Sequence, residues 1–237
     1  MKKLGTVFAF VLLIAAAPAW AEPVTTLADI DFWVGQGQNE SALVIDFANG
    51  SDPVVWGYRY DGPATAEDML LDITAADNRL YSKIGTAGSF GLPLFGIGYD
   101  RNDNGAFGLD DGTIFDPDGI AVVASNMADG AMVTDLGDDY GEGWLSDVFC
   151  ALYIADDSPY DGSDNWDSAL TGFSGRNLTD GSWDGLAFAP GFVGTEPGQP
   201  MTSGSSAAVP EPASLAGMLI CAFAALAGYR VTRRRHV

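Results

Sequence analysis

The run Ser41-Ala42-Leu43-Val44-Ile45-Asp46-Phe47, then Asn49-Gly50-Ser51-Asp52-Pro53, then Val54-Val55-Trp56-Gly57-Tyr58-Arg59-Tyr60 decides the fold class. The outer stretches are rich in β-branched and aromatic residues, and the middle one is turn chemistry, so the three together read as a hairpin or strand pair. Thr65 then offers an N-cap with Asp68 three residues on, and Met69, Leu70, Ile73 and Leu80 follow at mostly helical spacing. That pattern predicts one helix over about 65–80. Beyond it the chain is glycine-rich, with candidate strands at Leu94–Tyr99, 120–125, 131–134, 144–154 and 186–189, bounded by Gly, Asp, Asn and Pro. The expected class is α+β, mostly antiparallel β with one main packed helix. The β-β-α opening would suit a β-grasp-like arrangement. No internal repeat at a fixed period is visible, which argues against solenoids and propellers.

The chain has 237 residues, of which 47% are hydrophobic, with six Trp, eight Tyr and thirteen Phe; this is the composition of a folded protein. Its charge is segregated. Between the two ends only Arg59, Arg79, Lys83, Arg101 and Arg176 face all 32 acids, a net of −27 over residues 22–212. Such a surface repels nucleic acid and anionic headgroups, attracts divalent cations and keeps an extracellular protein soluble. Of two cysteines, Cys221 lies in a C-terminal apolar run, so the middle of the chain holds one thiol and cannot form a disulfide within itself. Cys150, in Val148-Phe149-Cys150-Ala151-Leu152, reads as a buried small hydrophobe.

Both ends are addresses. Lys2 and Lys3 precede an eleven-residue apolar stretch, Val7 to Ala17, and Ala19-Trp20-Ala21 offers the small residues that signal peptidase reads. Residues 1–21 are therefore expected to be a signal peptide, with Glu22 opening an exported domain over 22–200. A Gly/Ser/Ala linker, 201–208, follows. Then come Val209-Pro210-Glu211-Pro212, an uncharged helix-forming segment at 213–229, and Arg230 with Arg233, Arg234 and Arg235. The segment would be about 25 Å long as a helix, marginal for a bilayer, and the arginines would stay cytoplasmic. Val-Pro-Glu-Pro, short apolar helix and Arg cluster, in that order over 209–237, resembles the PEP-CTERM sorting signal. The resemblance implies an exosortase-type enzyme acting near Pro210-Glu211-Pro212, a precursor held transiently in the inner membrane, and release to the cell surface or extracellular matrix. The 42–47, 56–62 and 67–70 stretches, with Trp183-Asp184-Gly185 and Phe188-Ala189-Pro190, also resemble a domain recurring in uncharacterised exported bacterial proteins. That resemblance implies family membership and no mechanism.

The chemistry is bounded by an absence. The one histidine is His236, in the basic tail, so the exported domain has no imidazole base, no Ser-His-Asp or Cys-His machinery and no ordinary zinc site. Paired carboxylates remain available, although 32 acids guarantee some pair somewhere. One cluster rises above that background: Asp100-Arg101-Asn102-Asp103-Asn104-Gly105 with Asp111 reads D-x-N-x-N-G-x5-D. Oxygens at alternate positions let one tight loop wrap a single Ca2+ ion, and Gly105 supplies the turn. It resembles the EF-hand-type calcium loop of exported bacterial proteins, which implies Asp100, Asn102 and Asn104 as side-chain ligands, the Ala106 carbonyl, and Asp111 at the twelfth position. Asp111 stands where Glu is usual and no flanking helix pair is expected, so an Asp/Asn/Gly turn between Tyr99 and Phe107 is the alternative. Asp116-Pro117-Asp118-Gly119 reads as a turn. Asp156, Asp157, Asp161, Asp164 and Asp167, with Tyr160 and Trp166, form a second acidic loop of the kind that binds sugars by ring stacking and hydroxyl hydrogen bonds. Trp56, Trp144 and Trp183 could join it or lie in the core. The expected function is a non-enzymatic surface or matrix protein that binds exopolysaccharide with calcium. The alternatives are a carboxylate-dependent glycan hydrolase or lyase, or a small-ligand module.

Overall fold

The computed structural model describes residues 21–88, 91–124, 130–143, 148–190 and 194–202. Residues 1–20 of the expected signal peptide, most of the expected linker, the expected sorting motif and the 213–229 segment lie outside them. Among the described residues no helix is long and apolar enough to cross a membrane. Residues Glu22–Thr202 form one compact unit.

The opening hairpin forms as read. β1 (Trp33–Gly35) precedes β2 (Asn39–Asp46) and β3 (Val54–Tyr60), and β2 and β3 pair antiparallel with Ala42 opposite Gly57 and Val44 opposite Val55. The turn is held by Asp46 Oδ1 accepting from Ala48 N at 2.7 Å and Asn49 Oδ1 accepting from Ser51 N at 3.0 Å. Ala48 and Gly50 there have φ of 50° and 93°.

α1 (Ala66–Ala76) starts at the expected cap: Asp68 N donates to Thr65 Oγ1, and Asp68 Oδ2 accepts from Thr65 N at 2.9 Å. It ends four residues before Leu80. Asp77 leaves the helix with extended backbone, and its buried carboxylate takes Trp56 Nε1–H at 2.9 Å and the Arg79 guanidinium at 3.0 Å. Leu80 is fully buried, as the helical spacing implies, but it enters the core as the first residue of β4 (Leu80–Gly85). Met69, Leu70 and Ile73 are each buried to within 1%, a gain of about 2 kcal/mol apiece.

The strands that follow are β5 (Leu94–Tyr99), β6 (Ile120–Val123), β7 (Asp139–Glu142), β8 (Val148–Ala155), β9 (Asp167–Ser168) and β10 (Trp183–Pro190). Among the described residues they complete two sheets, β1-β3-β2-β10-β8-β9 and β6-β4-β5-β7. The pairs β1–β3, β2–β10 and β4–β6 are parallel and the others antiparallel, so the fold is α+β with mixed sheets. It is not the single sheet of a β-grasp, because after α1 the chain starts a second sheet instead of returning to the hairpin's own. One core joins Leu43, Ile45 and Trp56 of the first sheet, α1, and Leu80, Ile97 and Tyr99 of the second. The other face of β2 and β10 is covered by a second cluster, where Val24, Ile30, Tyr153 and Trp166 pack on Ala42, Val44 and Trp183. Burial on both faces explains the unbroken apolar run at 42–45.

Candidate functional site

Asp100 closes β5 and opens the loop singled out in the sequence. It is 1% exposed, and its oxygens accept from Gly105 N at 2.7 Å and Asn104 N at 3.2 Å. Asn102 Oδ1 also takes Asn104 N, at 3.1 Å, and Asn104 Oδ1 takes Ala106 N at 2.8 Å. The turn needs left-handed backbone at Asp103 (φ 54°) and at Gly105 (φ 72°), where glycine alone is free of strain. Asp100, Asn102, Asn104 and Ala106 are thus gathered round one tight loop.

Asp111 is not with them. Its carboxylate receives Lys83 Nζ at 2.7 Å and the Thr113 hydroxyl at 2.8 Å. Burial works against its charge, but Lys83 and Thr113 hold it below the usual carboxylate range. Lys83, 3% exposed on β4, also donates to Glu142 Oε1 at 2.9 Å on β7. Glu142 further accepts the Tyr140 hydroxyl at 2.7 Å and Gly130 N at 2.7 Å. This network ties two sheet strands to two loops.

Two other acids meet the Asp100 loop instead. Asp135 Oδ2 accepts from Asn104 Nδ2 at 2.7 Å and Asn102 Nδ2 at 3.2 Å, and these bonds, after the Gly137 N–H, keep its carboxyl low. A Cβ on Gly137 would stand 2.4 Å from Asn102 Nδ2, so the two loops touch at backbone distance. Asp138 is 7% exposed, and neither carboxylate oxygen has a hydrogen-bond donor among the described residues. Burial, then the charges of Asp100 and Asp135, push it up to about 6. Among the described residues no three Asp, Glu, His or Cys side chains already form a metal-binding group, because the loop's oxygens are turned to its own N–H groups.

A second feature is a cleft of about 460 Å³ lined by Trp33, Glu40, Arg59, Asp157 and Asp161, with Trp183 behind. Arg59 lies 4.4 Å from the Trp33 ring centroid and 3.0 Å from Glu40. Asp161 is held low by the Ser163 hydroxyl and N–H, so it stays ionised as an acceptor rather than a proton donor. Of the aromatics named from sequence, Trp183 is fully buried at the back of this cleft, Trp56 is fully buried in the main core, Trp166 is buried among Tyr153, Tyr160 and Trp183, and Trp144 lies outside the described residues. Trp33 carries no sequence signal beyond its own identity, and Asp135 and Asp138 were missed because they lie some thirty residues from the loop they meet. Cys150 is half-buried among apolar side chains that push its thiol up to about 12, an unreactive group.

The fold and site define an acidic, mixed-sheet β domain with clustered carboxylates. No family model, curated protein or solved structure matches the chain.

Proposed function

We propose that the chain is an exported cell-surface or extracellular-matrix protein, sorted through the Val209–Pro212 and Arg233–Arg235 signal, that binds an exopolysaccharide without transforming it. The carrying observation is the Trp33 cleft, where an aromatic ring stands beside an Arg and three carboxylates. That combination suits a sugar, since the charged groups exchange hydrogen bonds with hydroxyls beside the indole, over which Arg59 lies. Calcium assists by offsetting the net of −27 and by bridging protein carboxylates to acidic sugars. The reading is further supported by one compact folded unit over Glu22–Thr202.

The test is co-sedimentation of the protein with the producer's own exopolysaccharide, in millimolar calcium and again in excess chelator. Calcium-dependent binding, weakened about tenfold by Trp33→Ala, is the expected result. No binding in either condition, or shortening of the polysaccharide on incubation, would overturn the reading.

A further inference from the structure

The register of the second sheet brings two acids face to face. Tyr99 of β5 pairs with Asp139 of β7, antiparallel, so the next residues outward, Asp100 and Asp138, stand opposite each other at the sheet's end. Like charges placed directly opposite on paired strands are destabilising. Both residues are buried, and Asp135 adds a third carboxylate through its contacts with Asn102 and Asn104. The nearby cation is already used: Arg101 pairs with Asp139 and donates to the Asp52 carbonyl at 3.0 Å. The two buried oxygens of Asp138 receive no N–H or hydroxyl among the described residues, and what they face is the Asp100 carboxyl. A buried carboxylate in that state is left without the compensation that burial of its charge demands.

We propose that Asp100 and Asp138, with Asp135 and the side-chain carbonyls of Asn102 and Asn104, hold one calcium ion between the 100–105 and 135–138 loops. The donor set is all oxygen, which selects a hard cation. Two loops of irregular backbone suit the long, irregular bonds of calcium better than the strict octahedron of magnesium. On binding, the Asn102 and Asn104 amides exchange their bonds to Asp135 and to backbone N–H groups for coordination through oxygen. The ion then clamps the end of β5 to the start of β7. Asp111 takes no part, because Lys83 and Thr113 occupy it. The inference deepens the proposed function by naming the ion's ligands, and rests on it only for the choice of ion.

The test uses the full chain in mild detergent, stripped with chelator, and calcium chloride alone, so its outcome is independent of any glycan. Calorimetric titration should give one site, and calcium at ten times its Kd should raise the melting temperature by about 4 °C. Asp138→Asn should melt higher than the parent without calcium, since a like-charge contact is gone, yet lose most of the calcium response. Terbium luminescence sensitised by nearby tyrosines gives a second readout that does not depend on melting. Asp111→Asn should keep the parent's calcium affinity within about twofold. No calcium binding by the parent, an undiminished response in Asp138→Asn, or loss of the response in Asp111→Asn would each overturn the assignment.

Discussion

Single side chains decide much of this molecule, because each of the few cations among the described residues is committed to a carboxylate. Asp77 serves the C-terminal end of α1, the Trp56 indole and Arg79 at once. Asp77→Ala strands a buried N–H and a guanidinium, and we expect a loss of about 3 kcal/mol in urea unfolding; Asp77→Asn, which keeps an acceptor for Trp56, should lose less. Lys83→Met leaves Glu142 buried without its ammonium and should cost about 3 kcal/mol by the same measurement. Asp184 is completely buried beside Arg176, whose Nε donates to it at 3.1 Å, while Asp184 Oδ2 and Arg176 Nη2 lack partners among the described residues. Burial raises its carboxyl to about 6, with Arg176 opposing only in part. The folded chain therefore holds this proton more tightly than the unfolded chain, whose carboxyl titrates near 3.8. Its contribution to stability falls as pH rises from about 4 to about 6 and is flat above. Unfolding free energies at pH 4 and pH 7 should shift in favour of Asp184→Asn over the parent by up to about 3 kcal/mol; a constant difference would refute the linkage.

At the scale of elements, local signals were legible where a segment's environment is uniform along its length. The Asn/Gly turn, the Thr65 cap and the all-buried Leu94–Tyr99 strand are of this kind. Thr65→Ala should cost about 1 kcal/mol and leave the rest of the fold intact by circular dichroism. β7 was not legible: its Asp139-Tyr140-Gly141-Glu142 lacks any apolar pattern, and its two acids are neutralised by Arg101 and Lys83, which arrive from other strands and loops. Of the 131–134 stretch only an isolated bridge between Leu109 and Val133 forms. The 100–105 loop and its surroundings were half legible. Its three alternating oxygens are local, whereas the acids that face it arrive through strand register, which no spacing rule reports. Glycine marks another long-range fact: a Cβ on Gly98 would stand 2.0 Å from the Phe107 ring, which stacks on Tyr81 at 4.3 Å. Gly98→Ala should cost about 2 kcal/mol by displacing that ring, and Gly88→Ala, with open space around it, close to nothing.

For the molecule as a whole, the net of −27 over residues 22–212 acts as a distributed repulsion. Monovalent salt should therefore stabilise it: raising sodium chloride from about 10 to about 500 mM should raise the melting temperature even without calcium. A fall on adding salt would mean that attractive pairs outweigh self-repulsion. The unit also closes on itself. Pro23 bridges Met201, Val24 N donates to the Pro200 carbonyl at 2.9 Å, and Thr202 N donates to the Glu22 carbonyl at 2.6 Å. Start and finish of the domain are thus neighbours, which makes the chain topologically a ring with a nick. A short peptide joining Thr202 to Glu22 would mend that nick without stretching anything. New ends could then be cut at the Asp116-Pro117-Asp118 turn, and such a permuted domain keeps every strand neighbour while changing only the order in which the ribosome delivers them.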